Sequence, residues 1–343
     1  MNKFTARAGI VPARTKAAAS AEGPGITAAA RIATVPSSLF GDPAPLLERA
    51  DLDALLASDL ELADLVRGAP EAHVSRERAR VTDLLRGGGR AFVGPASIAL
   101  LRPLAWDTRH FGVEVADVAR VYAAGVPDDD VLAHLLGHAA SAGIALLSAR
   151  CRADQPAVAQ ALETRGFRWV DTSVELGREV DRGPALPASD GRVREARPDD
   201  APALRVIARE FRRNRFHFDA RIPADQADGV YEQWVTSAAE GRGERMLVAE
   251  EDGRAVGLCG YRAPPSGDAL HAATLTLIVV AEEARGRGLF DALLGRTLAL
   301  SREDGARRLV SSTQVHNGRS LRAFARAGLL PYSARHVFHR WAT

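Results

Sequence analysis

A short glycine-rich segment, Arg285-Gly286-Arg287-Gly288, is the part of the chain that most clearly suggests chemistry. It follows the apolar run Leu275–Val280 and precedes an amphipathic stretch that starts at Leu289. A strand, a glycine-rich turn and a helix N-terminus leave main-chain N–H groups without partners, and the helix dipole favours negative charge there. Glycines also let the main chain approach a pyrophosphate, and the two arginines add positive charge. The segment therefore predicts an anion-binding cradle, although out of context it also fits an exposed turn between a strand and a helix.

A second strand–turn–helix unit lies downstream. The strand predicted at Arg308–Gln314 leads to Asn317, and a helix is predicted at Gly318–Ala327. An Asn-Gly pair at this point also fits a turn that caps the helix. Together the two units resemble the acetyl-CoA signature of the GCN5-related N-acetyltransferases (GNAT), Arg/Gln-x-x-Gly-x-Gly/Ala. Arg285 and Gly288 match this pattern, whereas Phe290 stands where Gly or Ala is usual, so its ring is expected either beside the diphosphate or in the core.

The resemblance implies acetyl-CoA as co-substrate and no metal. In that superfamily the strand before the cradle splays from its neighbour and offers main-chain groups to pantetheine, and an Asn in the position of Asn317 contacts the same arm. The residues that the resemblance assigns to acetyl-CoA are Ile278, Val279, Val280, Arg285, Gly286, Arg287, Gly288, Leu289, Phe290, Asn317, Ser320 and Phe324.

The general acid is the main departure from the superfamily. A Tyr on the last helix usually protonates the leaving thiolate, but the matching residue here is Phe324, which has no proton to donate. Another group then serves as the acid, or the thiolate leaves unaided at some cost in rate, or the domain binds acyl-CoA without turnover. The candidates for catalysis are Tyr332, His316 and His271, with Tyr231 as a further acid and Glu250 and His217 as further bases.

Three other stretches are similar to the dTDP-fucosamine acetyltransferase family. They are Trp106–Val118, Phe211–Val235 and Thr313–Phe324, and the resemblance extends from about residue 91. It implies direct transfer of an acetyl group to the amine of an amino sugar on a nucleotide carrier. The residues it assigns to the acceptor are Trp106, Asp107, Arg215, Phe216 and Tyr231.

Each acceptor residue also has a plainer interpretation. Arg212, Arg213 and Arg215 suit a diphosphate, but each also fits an exposed helix face. Trp106 fits the core equally well, and Asp107 fits the cap of a turn. Two other functions stay open: N-acetylation of another small amine, such as an antibiotic, polyamine or amino acid, and acyl-CoA binding without catalysis.

An internal repeat indicates the domain organisation. The runs that begin at Leu146 and Arg308 share the order strand, polar turn, helix, glycine, strand. The predicted fold is α/β with a mixed sheet, in a tandem GNAT-like arrangement of a degenerate N-terminal domain and a CoA-binding C-terminal domain. The predicted ranges are a disordered tail at 1–44, the N-terminal domain with a helical lead-in at 45–180, a linker at 181–192 and the catalytic domain at 193–343.

Composition narrows the functional class. The 343 residues include 45 basic and 43 acidic side chains, and this balance argues against general nucleic-acid binding. No apolar run reaches the length of a membrane span. The two cysteines, Cys151 and Cys259, lack metal-ligand spacing, so a reducing cytoplasm is expected. The expected partner is a small-molecule amine, without nucleic acid or membrane, and a homodimer is left open.

Overall fold

A computed structural model describes residues 38–59, 70–187, 191–211, 213–241 and 244–342. Most of the predicted disordered tail, residues 1–37, lies outside this range. The end of the predicted tail is nevertheless structured, because β1 (Ser38–Phe40) pairs antiparallel with Arg90–Phe92 and α1 begins at Ala44. The predicted boundary at residue 45 is therefore too late, since the first strand already covers the edge of the sheet.

The N-terminal half alternates strands and helices after a helical lead-in. Its first elements after β1 are α1 (Ala44–Leu47), α2 (Leu52–Leu56), a 3₁₀ turn at Ala57–Asp59 and α3 (Pro70–Arg86). They are followed by β2 (Arg90–Val93), β3 (Ser97–Pro103), α4 (Ala105–Phe111), β4 (Val115–Ala123), α5 (Asp129–Ser141), β5 (Leu146–Arg152), α6 (Pro156–Thr164) and β6 (Arg168–Glu179).

The C-terminal half has the same plan. Its elements are β7 (Val193–Glu195), α7 (Ala201–Ala208), α8 (Ala224–Ala239), β8 (Arg245–Glu251), β9 (Arg254–Arg262), β10 (Ala272–Val280), α9 (Leu289–Glu303), β11 (Arg308–Gln314), α10 (Gly318–Arg326) and β12 (Leu330–Trp341). The predicted hairpin turn between β8 and β9 is present: Asp252 and Gly253 both have positive φ, 49° and 74°, as a two-residue hairpin turn requires. The segment Arg213–Arg215, by contrast, is not helical, because α8 begins only at Ala224.

The described strands form one sheet in the order β1-β2-β3-β4-β5-β12-β6-β11-β10-β9-β8-β7. Neighbours are antiparallel except in the pairs β4–β5 and β10–β11, which are parallel. The last strand of each half lies within the other half, because β12 pairs with β5 and β6 pairs with β11. This exchange leaves neither half with an exposed inner edge. The two predicted domains on either side of residues 181–192 therefore share a single sheet.

Helices cover both faces of the sheet. Strand residues alternate between the faces, so the core clusters show which helix covers which face. One face packs against α5 and α6 in the N-terminal half and against α9 and α10 in the C-terminal half, and we call it the α9 face. The opposite face packs against α2, α3, α4, α7 and α8, and we call it the α8 face. No helix among the described residues is long and apolar enough to span a bilayer.

Candidate functional site

The predicted cradle joins the end of β10 to the start of α9. Gly286 and Gly288 have φ of 81° and 77°, and Gly288 is the N-cap of α9. L-residues rarely adopt this left-handed conformation, so glycine explains how the loop turns into the helix. Within the described residues, the main-chain N–H groups of Gly286, Arg287 and Gly288 have no hydrogen-bond partner. Together with the first N–H groups of α9 they form a solvent-facing set of donors.

The two arginine side chains of the cradle are already engaged. Arg285 donates from Nε to the Val280 carbonyl at 3.0 Å and also pairs with Glu210. Arg287 contacts Glu251 at 2.8 Å and the carbonyl of Glu283 at 2.9 Å. The expectation that both guanidinium groups add free positive charge therefore needs correction, because carboxylates offset them. The attraction for an anion comes mainly from main-chain N–H groups and the helix dipole.

β10 and β11 separate beside the cradle, as predicted. Their parallel pairing covers Ala272–Leu275 and Arg308–Ser311 and then stops. A bulge at Thr276 lies at the point of separation, while β10 stays paired with β9 up to Val280. β11 likewise stays paired with β6 up to Gln314. The two strands thus leave a gap between them, into which main-chain groups of β10 can point without a strand partner.

Asn317 and Ser320 lie at the same end of the sheet as the cradle. The Asn317 side-chain oxygen accepts from the Ser320 N–H at 3.2 Å and so caps α10, while its amide nitrogen donates to Thr313 Oγ1 at 3.2 Å. Because β10 and β11 are parallel, the N-termini of α9 and α10 flank the mouth of the gap together. The capping role proposed from the sequence is confirmed, and the side chain also ties the start of α10 to the end of β11.

Phe290 and Phe324 pack together below this mouth. Their rings meet edge to face, 5.5 Å apart, and Phe324 is 1% exposed in the core beneath α9. Of the two expectations for Phe290, the structure shows contact with the core. A bulky ring here fills the space between α9 and α10. Phe324 itself contributes no polar atom to the gap.

The predicted catalytic residues do not all reach the gap. His271 precedes β10 at the paired end of the strand, about 16 Å along the strand from Thr276. Tyr332 packs with Leu270 and Ala272 on the α8 face, whereas Phe324 lies on the α9 face, so Tyr332 does not occupy the place of the usual Tyr.

His316 is the predicted catalytic residue that lies at the open end, directly after β11. Its Nδ1 is 4.0 Å from Asp171 Oδ1, and its ring meets that of Phe218 edge to face at 5.2 Å. Burial raises the pKa of Asp171, while the N–H of Thr172, His316 and Arg150 act in the opposite direction. The two further bases considered from sequence are engaged elsewhere: Glu250 with Arg194 at 2.7 Å, and His217 with Asp228 at 3.0 Å.

The acceptor residues implied by the sequence meet where α4 packs against α8. Trp106 stacks on His110 at 5.2 Å, and Phe216 is 4% exposed within this apolar cluster. The guanidinium of Arg215 lies 4.4 Å above the Phe216 ring, a cation–π contact. Burial raises the pKa of Asp107, and Tyr231 is held between Phe211 and Trp234. Arg212 lies outside the described residues.

A polar groove on the α8 face was not expected from the sequence. Side chains at alternate positions of the central strands point to this face, and Ser312 is exposed although β11 lies in the middle of the sheet. The floor of the groove consists of Ser173, Glu175, Ser312, Gln314 and Thr276. A signal was present in the run Ser311-Ser312-Thr313-Gln314, which is polar where a central strand is normally apolar.

A buried carboxylate adjoins this floor. The Glu244 side chain is 2% exposed, and its Oε1 and Thr276 Oγ1 both lack a hydrogen-bond partner among the described residues. Both oxygens lie above Gly260, where an added Cβ would approach them to 2.8 Å and 2.3 Å. Gly260 therefore leaves the room that these two side chains need beside the bulge.

The cysteines take no part in this site. Cys151 and Cys259 are free and buried. Burial raises the pKa of the Cys259 thiol to about 12, so it stays protonated near neutral pH despite its contact with Thr297 Oγ1 at 3.3 Å. Both are ordinary small core residues.

Comparison with known proteins agrees with this geometry. Residues 205–329 match the acetyltransferase (GNAT) family model. The spore coat polysaccharide biosynthesis protein SpsD of Bacillus subtilis (strain 168) is 26% identical over 145 residues, which are 42% of this chain and 48% of that protein. The match thus spans about half the length of the curated relative.

Two solved structures share the fold over nearly their whole length. A GCN5-related N-acetyltransferase from Sphaerobacter thermophilus has a TM-score of 0.57 and 16% identity, covering 89% of this chain and 95% of its own. A tandem GNAT protein from the clavulanic acid biosynthesis pathway has a TM-score of 0.53 and 17% identity, covering 89% and 98%. At these identities the likeness concerns the fold.

The predicted α/β mixed sheet with a tandem GNAT-like architecture is confirmed by these structures. The match to the family model supports the prediction of an acetyltransferase, and it covers the residues of the cradle, the gap and Asn317. Residues 205–329 thus match the acetyltransferase (GNAT) family model, within a chain that has the GNAT fold.

Proposed function

We propose that the chain transfers the acetyl group of acetyl-CoA to the primary amine of a small hydroxylated acceptor, with an amino sugar as the first candidate. The observation that carries the proposal is the gap between β10 and β11, which opens towards the cradle on the α9 face and towards the polar groove on the α8 face. A thioester held in the gap from one face is therefore within reach of an amine that enters from the other.

The residues on the α9 face fit the shape and charge of CoA. A diphosphate has partners in the main-chain N–H groups of Gly286–Gly288, and the two glycines leave no Cβ in its way. The pantetheine arm has amide groups that match the free main-chain groups of β10 and the side chain of Asn317. Acetyl-CoA supplies the activated acyl group, and the protein aligns its carbonyl carbon with the acceptor.

The groove supports a polar acceptor. Hydroxyl groups of Ser173, Ser312 and Thr276 and the amide of Gln314 line its floor, so an acceptor with several hydroxyl groups would find many hydrogen-bond partners. Carboxylates lie close by in Asp171 and Glu244 and attract an amine in its cationic form. An amine without other polar groups would leave these side chains without hydrogen-bond partners, and each unpaired group would make the binding free energy less favourable.

His316 is proposed to take the proton of the attacking amine. It lies at the open end of the gap, and an imidazole can accept a proton near neutral pH. Asp171, 4.0 Å from its Nδ1, would hold the ring and stabilise the cation that forms. As the C–N bond forms and the C–S bond breaks, the electron pair of the C–S bond leaves with sulfur as a thiolate. Phe324 cannot protonate this thiolate, which therefore leaves unprotonated or takes a proton from water.

The acceptor's class rests on two weaker supports. The name of SpsD refers to polysaccharide biosynthesis. The arginines near the acceptor cleft suit a nucleotide diphosphate: Arg213 is exposed, and Arg215 lies over Phe216. A dTDP-linked amino sugar is therefore the specific candidate, and a free amino sugar or another small amine the alternative.

Release of free thiol from acetyl-CoA tests the function. The acceptor panel holds dTDP-linked amino sugars, free amino sugars, polyamines, aminoglycosides and amino acids, and Gly288→Asp serves as the cradle control. We expect thiol release with a hydroxylated amine in the wild type and none above background in the control. Release with a dTDP-linked sugar alone would support the nucleotide-bound acceptor. Tight CoA binding without release from any acceptor would instead favour a binding module, which the buried Phe324 allows.

A further inference from the structure

The N-terminal half contains a second pair of parted strands, built like the first. β4 and β10 have nine residues each, and each has its bulge at the fifth, Ala119 and Thr276. The parallel pairing of β4 with β5 covers Val115–Val118, the same first four positions as in β10, and then ends. The geometry that opens the gap in the C-terminal half is therefore present twice.

The chain's own Ser58 bridges this second gap, beside a cavity of about 460 Å³ that Ser58, Ala123 and Gln155 help to line. Its Oγ accepts a hydrogen bond from the N–H of Ala123, at the end of β4, at 3.1 Å. Its carbonyl oxygen accepts from the side-chain amide of Gln155 at 2.8 Å. A further bond from Ser58 Oγ to the Leu55 carbonyl, 2.6 Å, fixes the 3₁₀ turn that carries it. A peptide group thus lies between the end of the parted strand and the start of α6.

Gln155 occupies the position that Asn317 has in the other half. Both are the N-cap residues of the helix that comes after the second parted strand, three residues beyond the end of that strand. The Asn317 amide donates to Thr313 Oγ1 at the end of its own strand, whereas the Gln155 amide donates to the carbonyl of Ser58, which comes from the helical lead-in. The amide at the same cap position therefore contacts its own strand in one half and a distant segment of the chain in the other.

The loop after β4 also lacks the means to bind an anion. Residues 124–128 replace the longer segment 281–288, without the Arg-Gly-Arg-Gly sequence. Asp128 is the N-cap of α5, and its carboxylate accepts from the Ala96 N–H and from Ser97 Oγ, both at 2.8 Å. A carboxylate at this helix N-terminus interacts favourably with the positive end of the helix dipole, and it would repel a phosphate group.

From these contacts we propose that Ser58 and its 3₁₀ turn are a built-in substitute for pantetheine, which closes the N-terminal half as an acyl-CoA site and ties the helical lead-in to the sheet. The proposal rests on the proposed function for the C-terminal half. Its consequence is that one chain binds one CoA, and that Gln155 and Asn317, in matching places, do opposite jobs. Gln155 holds the protein's own backbone, and Asn317 holds the ligand.

The matched variants Gln155→Ala and Asn317→Ser test this in the full chain, because serine keeps an N-cap oxygen at residue 317. Two readouts are needed: hydrogen exchange of residues 44–58, and CoA affinity by calorimetry. We expect Gln155→Ala to speed exchange of residues 44–58 about fivefold, as for the loss of one hydrogen bond, with CoA affinity unchanged. We expect Asn317→Ser to leave this exchange unchanged and to weaken CoA binding about tenfold. Ser58→Gly keeps the carbonyl that Gln155 holds and removes instead the bonds of Ser58 Oγ to the Ala123 N–H and the Leu55 carbonyl, so we expect it to speed the same exchange.

Hydrogen exchange of residues 44–58 is measured without a ligand. A failure of CoA binding would therefore count against the proposed function, and the test of Ser58 would still be valid. Unchanged exchange of residues 44–58 in both Gln155→Ala and Ser58→Gly would overturn the proposal. So would two CoA molecules per chain, since this result requires an open site in the N-terminal half.

Discussion

The N-terminal and C-terminal halves hold the same pair of parted strands but differ in the loop after the first strand of each pair. In the C-terminal half, β10 runs into a loop with two left-handed glycines, and the gap stays open to Asn317. In the N-terminal half, β4 runs into a shorter loop that ends in Asp128, and Ser58 bridges the gap. Parted strands alone are therefore not a binding site. The loop supplies the donors for an anion, and an unoccupied gap supplies the room for the acyl group.

The largest effect is expected at the cradle. Gly288→Asp places a carboxylate against the diphosphate, and Asp tolerates the left-handed conformation better than most residues, so the fold should survive. We expect a loss of CoA affinity of at least about 100-fold in calorimetry. Gly125→Asp, in the loop after β4, is the matched control, because a Cβ there meets nothing within 4 Å and no binding is expected to change. Wild-type affinity in the Gly288 variant would refute the cradle.

A large effect on turnover is expected at the open end of the gap. His316→Ala removes the proposed proton acceptor and should lower kcat about 100-fold while CoA affinity stays within about twofold. Asp154 has the corresponding position in the N-terminal half, and Asp154→Ala is the control with unchanged turnover. Equal turnover in the two variants would exclude His316 as the base.

Two buried aspartates should respond oppositely to pH. Burial raises the pKa of Asp171, so at neutral pH the folded state bears the cost of its charge. Asp171→Asn should therefore raise the melting temperature at pH 7. This rise in melting temperature should shrink as the pH falls through the raised pKa of Asp171. The variant should also lower turnover. A variant that is less stable at pH 7 would contradict this account of Asp171.

Asp219 is the contrasting case. Burial alone would raise its pKa, but hydrogen bonds from His339, Trp341 and the Arg221 N–H lower it to about 2. The contribution of Asp219 to the free energy of unfolding is present above the ordinary carboxyl pKa, and it is lost as the pH falls towards about 2. Asp219→Asn should cost about 1–3 kcal/mol at pH 7 in urea unfolding, with a smaller difference in acid. An unchanged free energy of unfolding at pH 7 would count against these contacts.

The smallest effect is expected at Phe324. Phe324→Tyr restores the hydroxyl that is usual in the superfamily, and Leu162 marks the same helix position in the N-terminal half. Turnover should stay equal or rise up to about tenfold, with a stability cost of about 1–3 kcal/mol if the hydroxyl stays buried. A strong loss of turnover would mean that this position is not the vacant place of the acid.

Local patterns in the sequence predicted the fold well and the site only in part. The bounds of β10, β11 and α10 follow from alternation and from the Asn-Gly cap, which are local signals. The exchange of β6 and β12 depends on pairing between distant residues, and no local pattern encodes it. For the same reason Asp171 and Glu244 were missed, because each reaches the gap only through its place in the sheet. His271 and Tyr332 were chosen by residue type, and the sheet places them away from the open end.

Hydrogen exchange of the wild-type chain with and without CoA tests the central claim most directly, because it reports on both halves at once. The account predicts slower exchange in residues 276–290 and 315–321 when CoA is bound, and no change in residues 119–129 and 153–158, where Ser58 bridges the gap. Protection in the N-terminal set, or none in the C-terminal set, would contradict it.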